Sequence, residues 1–210
     1  MLTIRTFSKR YADVLAISVS HLTLGPGAYW VRGENGSGKT TFFKSLAGML
    51  PCEGTIEFDD GINLHIHPLK YRERVNYSEA EPLYPGFLTP RDLVRFIGKT
   101  KGSSIERQRS IIERFGINQF LNQPCATCSS GMLKKVSLAL AFLGSPKIII
   151  LDEPLITLDE GSRKILFSLI NEHIDEHNIT FLLSSHQLLE NSSIALNKII
   201  TIENKTITVT

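Results

Sequence analysis

The chain is short of cysteine, of tryptophan and of any charge imbalance. Its 210 residues hold three cysteines and one tryptophan. An odd, small set of thiols excludes a disulfide-stapled secreted scaffold and suits a reducing cytoplasm. Lysine and arginine number 23 against 21 acidic residues, for a net charge of +2. That balance excludes the strong basic field of a nucleic-acid or membrane-surface binder. No apolar run reaches the ~18 residues of a membrane span. Arg5 is followed by no long apolar stretch, so no secretory signal is expected. Heptads, internal repeats and low-complexity tracts are also missing. What is left is one globular domain, or one domain with an inserted lobe.

Glycine, by contrast, is concentrated where it has chemical meaning. Gly33-Glu34-Asn35-Gly36-Ser37-Gly38-Lys39-Thr40 fits G-x-x-x-x-G-K-[ST], the phosphate-binding loop. Glycines let successive N–H groups turn inward toward phosphate oxygens. Lys39 supplies a point charge, and Thr40 offers a hydroxyl to Mg²⁺. Thr40-Thr41 open a helix whose positive dipole end faces the same anion. The run Ala28–Arg32 reads as the strand entering the loop, and Gly48 closes the helix.

The first ~30 residues are strand-like: Leu2–Phe7, Leu15–Val19 and His21–Leu24. Further strands are expected at Gly54–Phe58 and Asn63–His67. From Thr89 to Phe142 the pattern turns helical, with Thr89 as a cap, Pro90 in the first turn, and Leu93, Phe96 and Ile97 on one face. Ile148–Leu151 is wholly apolar, as a strand buried on both faces of a parallel sheet should be. A helix near Gly161–Glu176, a strand at Thr180–Ser184, a short helix and a terminal hairpin at Lys198–Ile202 and Thr206–Thr210 follow. The fold class expected is α/β: a phosphate-loop core with a mainly parallel sheet, an antiparallel flank near the N-terminus and an inserted helical subdomain. The boundaries expected are 1–78 and 146–210 for the core and 79–145 for the helical part, all within one domain, 1–210.

Asp152 and Glu153 stand at the C-terminal end of that apolar strand, where ligands of open α/β sheets bind. The first carboxylate suits Mg²⁺, directly or through water. The second, beside a γ-phosphate, suits positioning or deprotonating an attacking water.

Here the chain resembles the nucleotide-binding subunits of ABC transporters, over nearly its whole length. Cys128-Ser129-Ser130-Gly131-Met132 resembles the signature L-S-G-G-Q, Leu158-Asp159 the D-loop, and Ser184-Ser185-His186 the switch histidine. Tyr11 lies where the family has its adenine-stacking aromatic. The resemblance implies ATP and Mg²⁺ as ligands and two ATPs sandwiched between two head-to-tail subunits, a homodimer. Ser129 and Gly131 would meet the partner's ATP, Asp159 would organise the seam, and His186 would contact the γ-phosphate and orient the water. It further implies a separate membrane permease, docked on the helical lobe and the loop Ala80–Pro85. The subunit would be cytoplasmic and peripheral on the inner membrane face. Ser129–Lys135 leans toward exporter-type permeases, and the chain stops soon after the core, without the regulatory domain that importer subunits often carry. Alternatives are a soluble ABC ATPase, as in iron–sulfur assembly, a small-molecule phosphate-loop kinase, or a module that no longer hydrolyses.

Several features depart from the pattern or compete with it. Ser130 replaces the first signature glycine and Met132 its glutamine. The Q-loop glutamine is missing: counting from Tyr77 places Ala80 there, with Glu79 or Glu81 as carboxylate substitutes that could read Mg²⁺. Cys125-Ala126-Thr127-Cys128 has C-x-x-C spacing but lacks two further zinc ligands. His173-Ile174-Asp175-Glu176-His177 has the H-x-x-E-H spacing of a zinc protease. At helical spacing, however, both histidines share a side with Leu166, Leu169 and Ile170, which favours packing. His65 and His67 share a strand face with no partner motif.

Overall fold

The computed structural model describes residues 1–185 and 194–210. The expected short helix after Ser184, and His186, lie outside the described residues.

Alternating burial in the first strands builds an antiparallel sheet. In it β1 (Leu2–Tyr11) lies between β2 (Val14–Leu24) and β4 (Glu53–Phe58). The two strands expected at Leu15–Val19 and His21–Leu24 are one strand. The apolar phase slips between Val19 and Leu22, and it slips equally opposite, between Ile4 and Phe7. Thr6, at φ 48°, absorbs that slip. Gly54 is needed beside it, because a Cβ there would sit 2.5 Å from the Thr6 carbonyl oxygen.

The second sheet has the order β5-β6-β7-β3-β8-β9. β3 (Gly27–Arg32), β5 (Val75–Ser78), β6 (Ile148–Leu151), β7 (Thr180–Ser184) and β8 (Leu196–Glu203) run parallel, and β9 (Thr206–Val209) returns antiparallel as the expected hairpin. All four residues of β6 are buried, two toward each face. Ile148 and Ile150 join Tyr29, Val31 and Leu182 in a core shared with the first sheet and α1 (Lys39–Leu46). Ile149 and Leu151 join Trp30, Phe181 and Leu183 in a core covered by α5 (Ser130–Ala141) and α6 (Glu160–His177).

The strand expected at Asn63–His67 does not form. Asn63 makes an isolated bridge to Glu57, its side chain accepts from the His65 and Ile66 amides, and His67 leads into α2 (Pro68–Arg74). Proline at the first position of α2 fixes that helix start. His65 is exposed and the His67 Nδ1 accepts from the Asn63 amide, so the two histidines form no pair. Between Pro90 and Ala141 run α3 (Pro90–Thr100), α4 (Ile105–Arg114), two 3-10 turns and α5. Thr89 caps α3 reciprocally with Asp92. Of the expected apolar face of α3, Leu93 is buried but Phe96 is 66% exposed.

Candidate functional site

β3 delivers the phosphate loop from inside the parallel sheet, between β7 and β8. Gly36 and Gly38 have φ of 79° and 108°, left-handed values that glycine tolerates, and Gly38 is the N-cap of α1. A Cβ on Gly33 would fall 2.5 Å from the Ser37 hydroxyl, so the loop is closed tightly on itself. Lys39 is buried, and its Nζ donates to the carbonyls of Gly33 (2.6 Å) and Glu34 (3.0 Å). The ammonium is thereby held inside the ring of the loop.

β6 lies two strands from β3, with β7 between them. The Asp152 carboxylate nevertheless reaches the loop. Its Oδ2 accepts from Thr40 Oγ1 at 2.7 Å and from the Tyr77 hydroxyl at 3.2 Å, and its Oδ1 accepts from Ser184 Oγ at 2.6 Å. Ser184 Oγ in turn accepts from the Glu153 amide at 2.8 Å. The intervening strand therefore supplies one hydroxyl that orients both acidic residues. Glu153 has φ 45°, a left-handed conformation that costs a non-glycine residue on the order of 1–3 kcal/mol. Its side chain is almost wholly buried. These groups close a recess of about 230 Å³ lined by Asn35, Gly36, Gly38, Lys39, Thr40, Thr41, Ala80, Asp152 and Glu153. Ala80 thus faces the recess, at the position counting assigns to the missing glutamine. Glu79 instead lines the neighbouring apolar groove, and Glu81 is exposed.

The flanking positions are equally definite. Tyr11 ends β1 at a hairpin tip and is half exposed, with the Lys9 ammonium 4.9 Å from its ring centre. The hairpin's returning strand passes the loop, where a Gly38 Cβ would come within 3.1 Å of the Ala16 carbonyl oxygen. Ser129 is the exposed N-cap of α5, its Oγ accepting from the Met132 amide. Met132 takes the N3 place with its sulfur, which accepts from the Ser129 amide at 3.4 Å. A Cβ on Gly131 would lie 2.9 Å from the Thr157 carbonyl oxygen. Asp159 caps α6 through the Ser162 amide and pairs with Lys135 at 2.8 Å. Those bonds, Lys135 first, hold the Asp159 carboxyl well below the usual carboxylate range.

Sequence reasoning missed Ser184 as an orienting group, Tyr77 as a second donor to Asp152, and Lys134. The last is buried, and its Nζ donates to the carbonyls of Glu79 (2.7 Å), Asp152 (3.0 Å) and Ala80 (3.2 Å). Burial pulls its pKa down to about 8. A lysine just ahead of the mostly apolar helix stretch Val136–Ala141 was the available signal.

The competing motifs resolve locally. Cys125 and Cys128 flank a 3-10 turn as free thiols, and burial raises both pKa values, the reverse of an activated thiolate. Both ring nitrogens of His173 are engaged, Nδ1 donating to the Leu169 carbonyl and Nε2 accepting from Arg107 Nη2, each at 2.8 Å. His177 meets it only ring to ring, at 5.4 Å.

Residues 18–156 match the family model described as "ABC transporter". The chain belongs to the ABC transporter family. As a member it binds ATP and is an ATPase. The ABC transporter ATP-binding protein NatA of Bacillus subtilis (strain 168) is 31% identical over 202 residues, 90% of this chain and 81% of that protein. The cytochrome c biogenesis ATP-binding export protein CcmA of Nitrosococcus oceani is 30% identical over 159 residues, 75% of this chain and 73% of that one. The human glucosylceramide transporter ABCA12 is 27% identical over 90% of this chain, which spans only 8% of that much longer protein. Among solved structures, an ATP-binding subunit of an ABC transporter superposes with a TM-score of 0.90 at 25% identity, covering 100% of this chain and 89% of that one. The fold recurs, at 19% identity and a TM-score of 0.84, in a dimeric ATP-binding cassette bound to ADP and Pi, with 100% and 98% covered. Among the described residues, no helix is long and apolar enough to cross a membrane.

Proposed function

We propose that this ABC ATPase, one domain over 1–210 with a helical subdomain at 79–145, pairs with a second copy around two ATPs and drives a separate membrane permease. The single observation that carries the hydrolytic reading is the bond of Thr40 to Asp152 across two strands. It brings the phosphate loop and the acidic strand end into one recess. The donor set there, a hydroxyl beside a carboxylate, is the hard-oxygen pair that Mg²⁺ takes while keeping its waters. Thr40 and Asp152 would hold that ion, which when bound neutralises phosphate charge. Gly33 to Thr41 wrap the phosphates, and Lys39 shifts its donors from the Gly33 and Glu34 carbonyls to phosphate oxygen. Tyr11 stacks on adenine. Glu153, fixed through its amide by Ser184, takes a proton from the attacking water, and His186 orients that water. Ser129 and Gly131 of one copy meet the ATP of the other, with Asp159 at the seam.

Two observations favour a membrane permease over a soluble partner. NatA and CcmA are a transporter's ATP-binding protein and an export protein. A groove between core and helices, lined by Met49, Leu83, Tyr84, Ile97 and Leu140, has Leu83 88% exposed at its rim. We read it as the permease's seat on the cytoplasmic membrane face. CcmA's export role favours an exporter; the zinc import protein ZnuC of Pseudomonas fluorescens, 29% identical over 85% of this chain, keeps import in view.

Glu153→Gln keeps the shape of the acid and loses its basicity. Its turnover should fall on the order of 10²–10⁴-fold, with an ATP-trapped dimer in light scattering. Ser129→Arg should bind ATP normally and never dimerise. Wild-type turnover by Glu153→Gln, or loss of ATP binding or persistence of ATP-driven dimerisation in Ser129→Arg, would refute the arrangement.

A further inference from the structure

Helix α5 touches the acidic segment at three points in succession. Gly131 lies against the Thr157 carbonyl, Lys134 donates to the Asp152 carbonyl, and Lys135 pairs with Asp159. Only the middle contact also reaches across to the loop after β5. There the ammonium of Lys134 takes the Glu79 and Ala80 carbonyls, so its three protons serve three carbonyls of two segments. Further along, α5 is fastened to β5 by Ser137 on Ser78 (2.9 Å) and by Asn76 Nδ2 on the Ala141 and Leu143 carbonyls (2.8 Å each). The helix is therefore tied to β5 and to the loop at several points.

Ala80 has no polar side-chain group with which to grip the recess it faces. The loop is placed instead through its backbone, by a residue five positions into the helix that Ser129 caps. A buried ammonium is costly to leave without acceptors, so this three-carbonyl grip resists being pulled apart. A displacement of Ser129 is thus transmitted to both Asp152 and Ala80 over less than two helical turns.

We infer that Lys134 is a positioning residue that couples the signature serine, and so the partner's ATP, to this subunit's own hydrolytic site. It holds the loop at Ala80, the position that counting assigns to the missing glutamine. The inference rests on the dimeric reading above. In that dimer each Ser129 senses one ATP while the lysine five residues on sets the carboxylates at the other. Binding at one site then raises turnover at its neighbour, which is a coupling between two sites through one rigid element.

The test is steady-state hydrolysis against ATP concentration for wild type, Lys134→Met, Lys134→Gln and Lys134→Arg. Single-subunit ATP affinity is followed in parallel by the fluorescence of Trp30, and amide exchange is followed over residues 79–82. Wild type should give a Hill coefficient toward two, the number of sites in the dimer. Lys134→Met fills the volume without donors. It should give a coefficient near one and a turnover lower by about tenfold, with single-subunit affinity within about twofold. Lys134→Arg, with donors restored, should recover most of the cooperativity, and Lys134→Gln should fall between. If Lys134→Met does not fold, Lys134→Gln carries the test: its cooperativity must fall below that of wild type. Unchanged cooperativity in a folded Met or Gln variant, even with faster exchange at 79–82, assigns Lys134 a merely structural role and overturns the coupling. A wild type that is itself non-cooperative and never dimerises with ATP overturns the dimeric reading instead.

Discussion

The recess has two walls, and they are held differently. On the phosphate-loop wall, side chains grip one another as well as backbone: Thr40 and Ser184 bond Asp152, while Lys39 holds the Gly33 and Glu34 carbonyls. On the opposite wall, one side chain grips backbone: Lys134 on the carbonyls of Glu79 and Ala80. The first arrangement needs particular residues at fixed spacing, because the chemistry lies in the side chains. The second needs only a carbonyl at the right place, so the residues that supply it are free to vary. The missing glutamine falls on that second wall, where Ala80 stands. A site can therefore keep its phosphate-loop wall strict while the opposite wall is rebuilt.

The contrast breaks most sharply at Lys39. The loop amides alone cannot offset the triphosphate charge, and Lys39 also braces the loop through Gly33 and Glu34. Lys39→Ala should weaken ATP binding by on the order of 100-fold or more, measured with a fluorescent analogue. Unchanged affinity would mean that the loop does not hold ATP.

A smaller effect is expected at Ser184, whose hydroxyl joins the two acidic residues. Ser184→Ala leaves the Glu153 amide and one oxygen of Asp152 without that partner, at a cost on the order of 1–3 kcal/mol. Turnover should fall about tenfold while ATP affinity changes little, because the lost contacts orient the acids and do not touch the phosphate loop. If affinity falls as much as turnover, Ser184 supports the whole recess and does not act on the acidic pair.

The same division explains what was legible in the chain. The loop, the β6 run, the Asp152-Glu153 pair and the α3 cap announce themselves because a local rule dictates each: glycine at positive φ, apolar residues buried on both faces, a carboxylate at a strand end, Thr89 with Pro90. Ser184, Tyr77 and Lys134 did not, because their partners are 32, 75 and 18 residues from them in the chain, on other elements. The strand break read between Val19 and His21 failed for a related reason. A slip in one strand looks like an end until the matching slip opposite, at Thr6, is seen. At Asn63–His67, residue types suited to a strand were overridden by the Asn63 side chain, which turns the backbone locally.

The smallest expected effect lies away from both walls, where the helical part meets α6. Arg107 of α4 donates to the Phe142 carbonyl and to His173 Nε2, and Arg114 pairs with Glu172. Burial first, with Arg107 and His177 adding to it, pulls the His173 pKa down to about 4, against the pull of the Leu169 bond and Glu172. The folded protein thus keeps this ring neutral while the unfolded chain protonates it near pH 6.5. Between those values the unfolded state binds the extra proton, so stability rises with pH across the window and is lost as pH falls from about 6.5 to about 4. Full expression of the shift would be on the order of 3 kcal/mol at roughly 1.36 kcal/mol per unit, an upper bound for a ring that can relax. His173→Gln removes the titration and keeps an oxygen for Arg107. Its denaturation midpoint should therefore fall less than that of wild type between pH 7 and pH 4.5, with ATP turnover at pH 7 unchanged. Parallel midpoints for the two proteins across that range would show that the junction is held without the neutral ring, leaving the Arg114–Glu172 pair and the apolar packing of Phe142 to carry it.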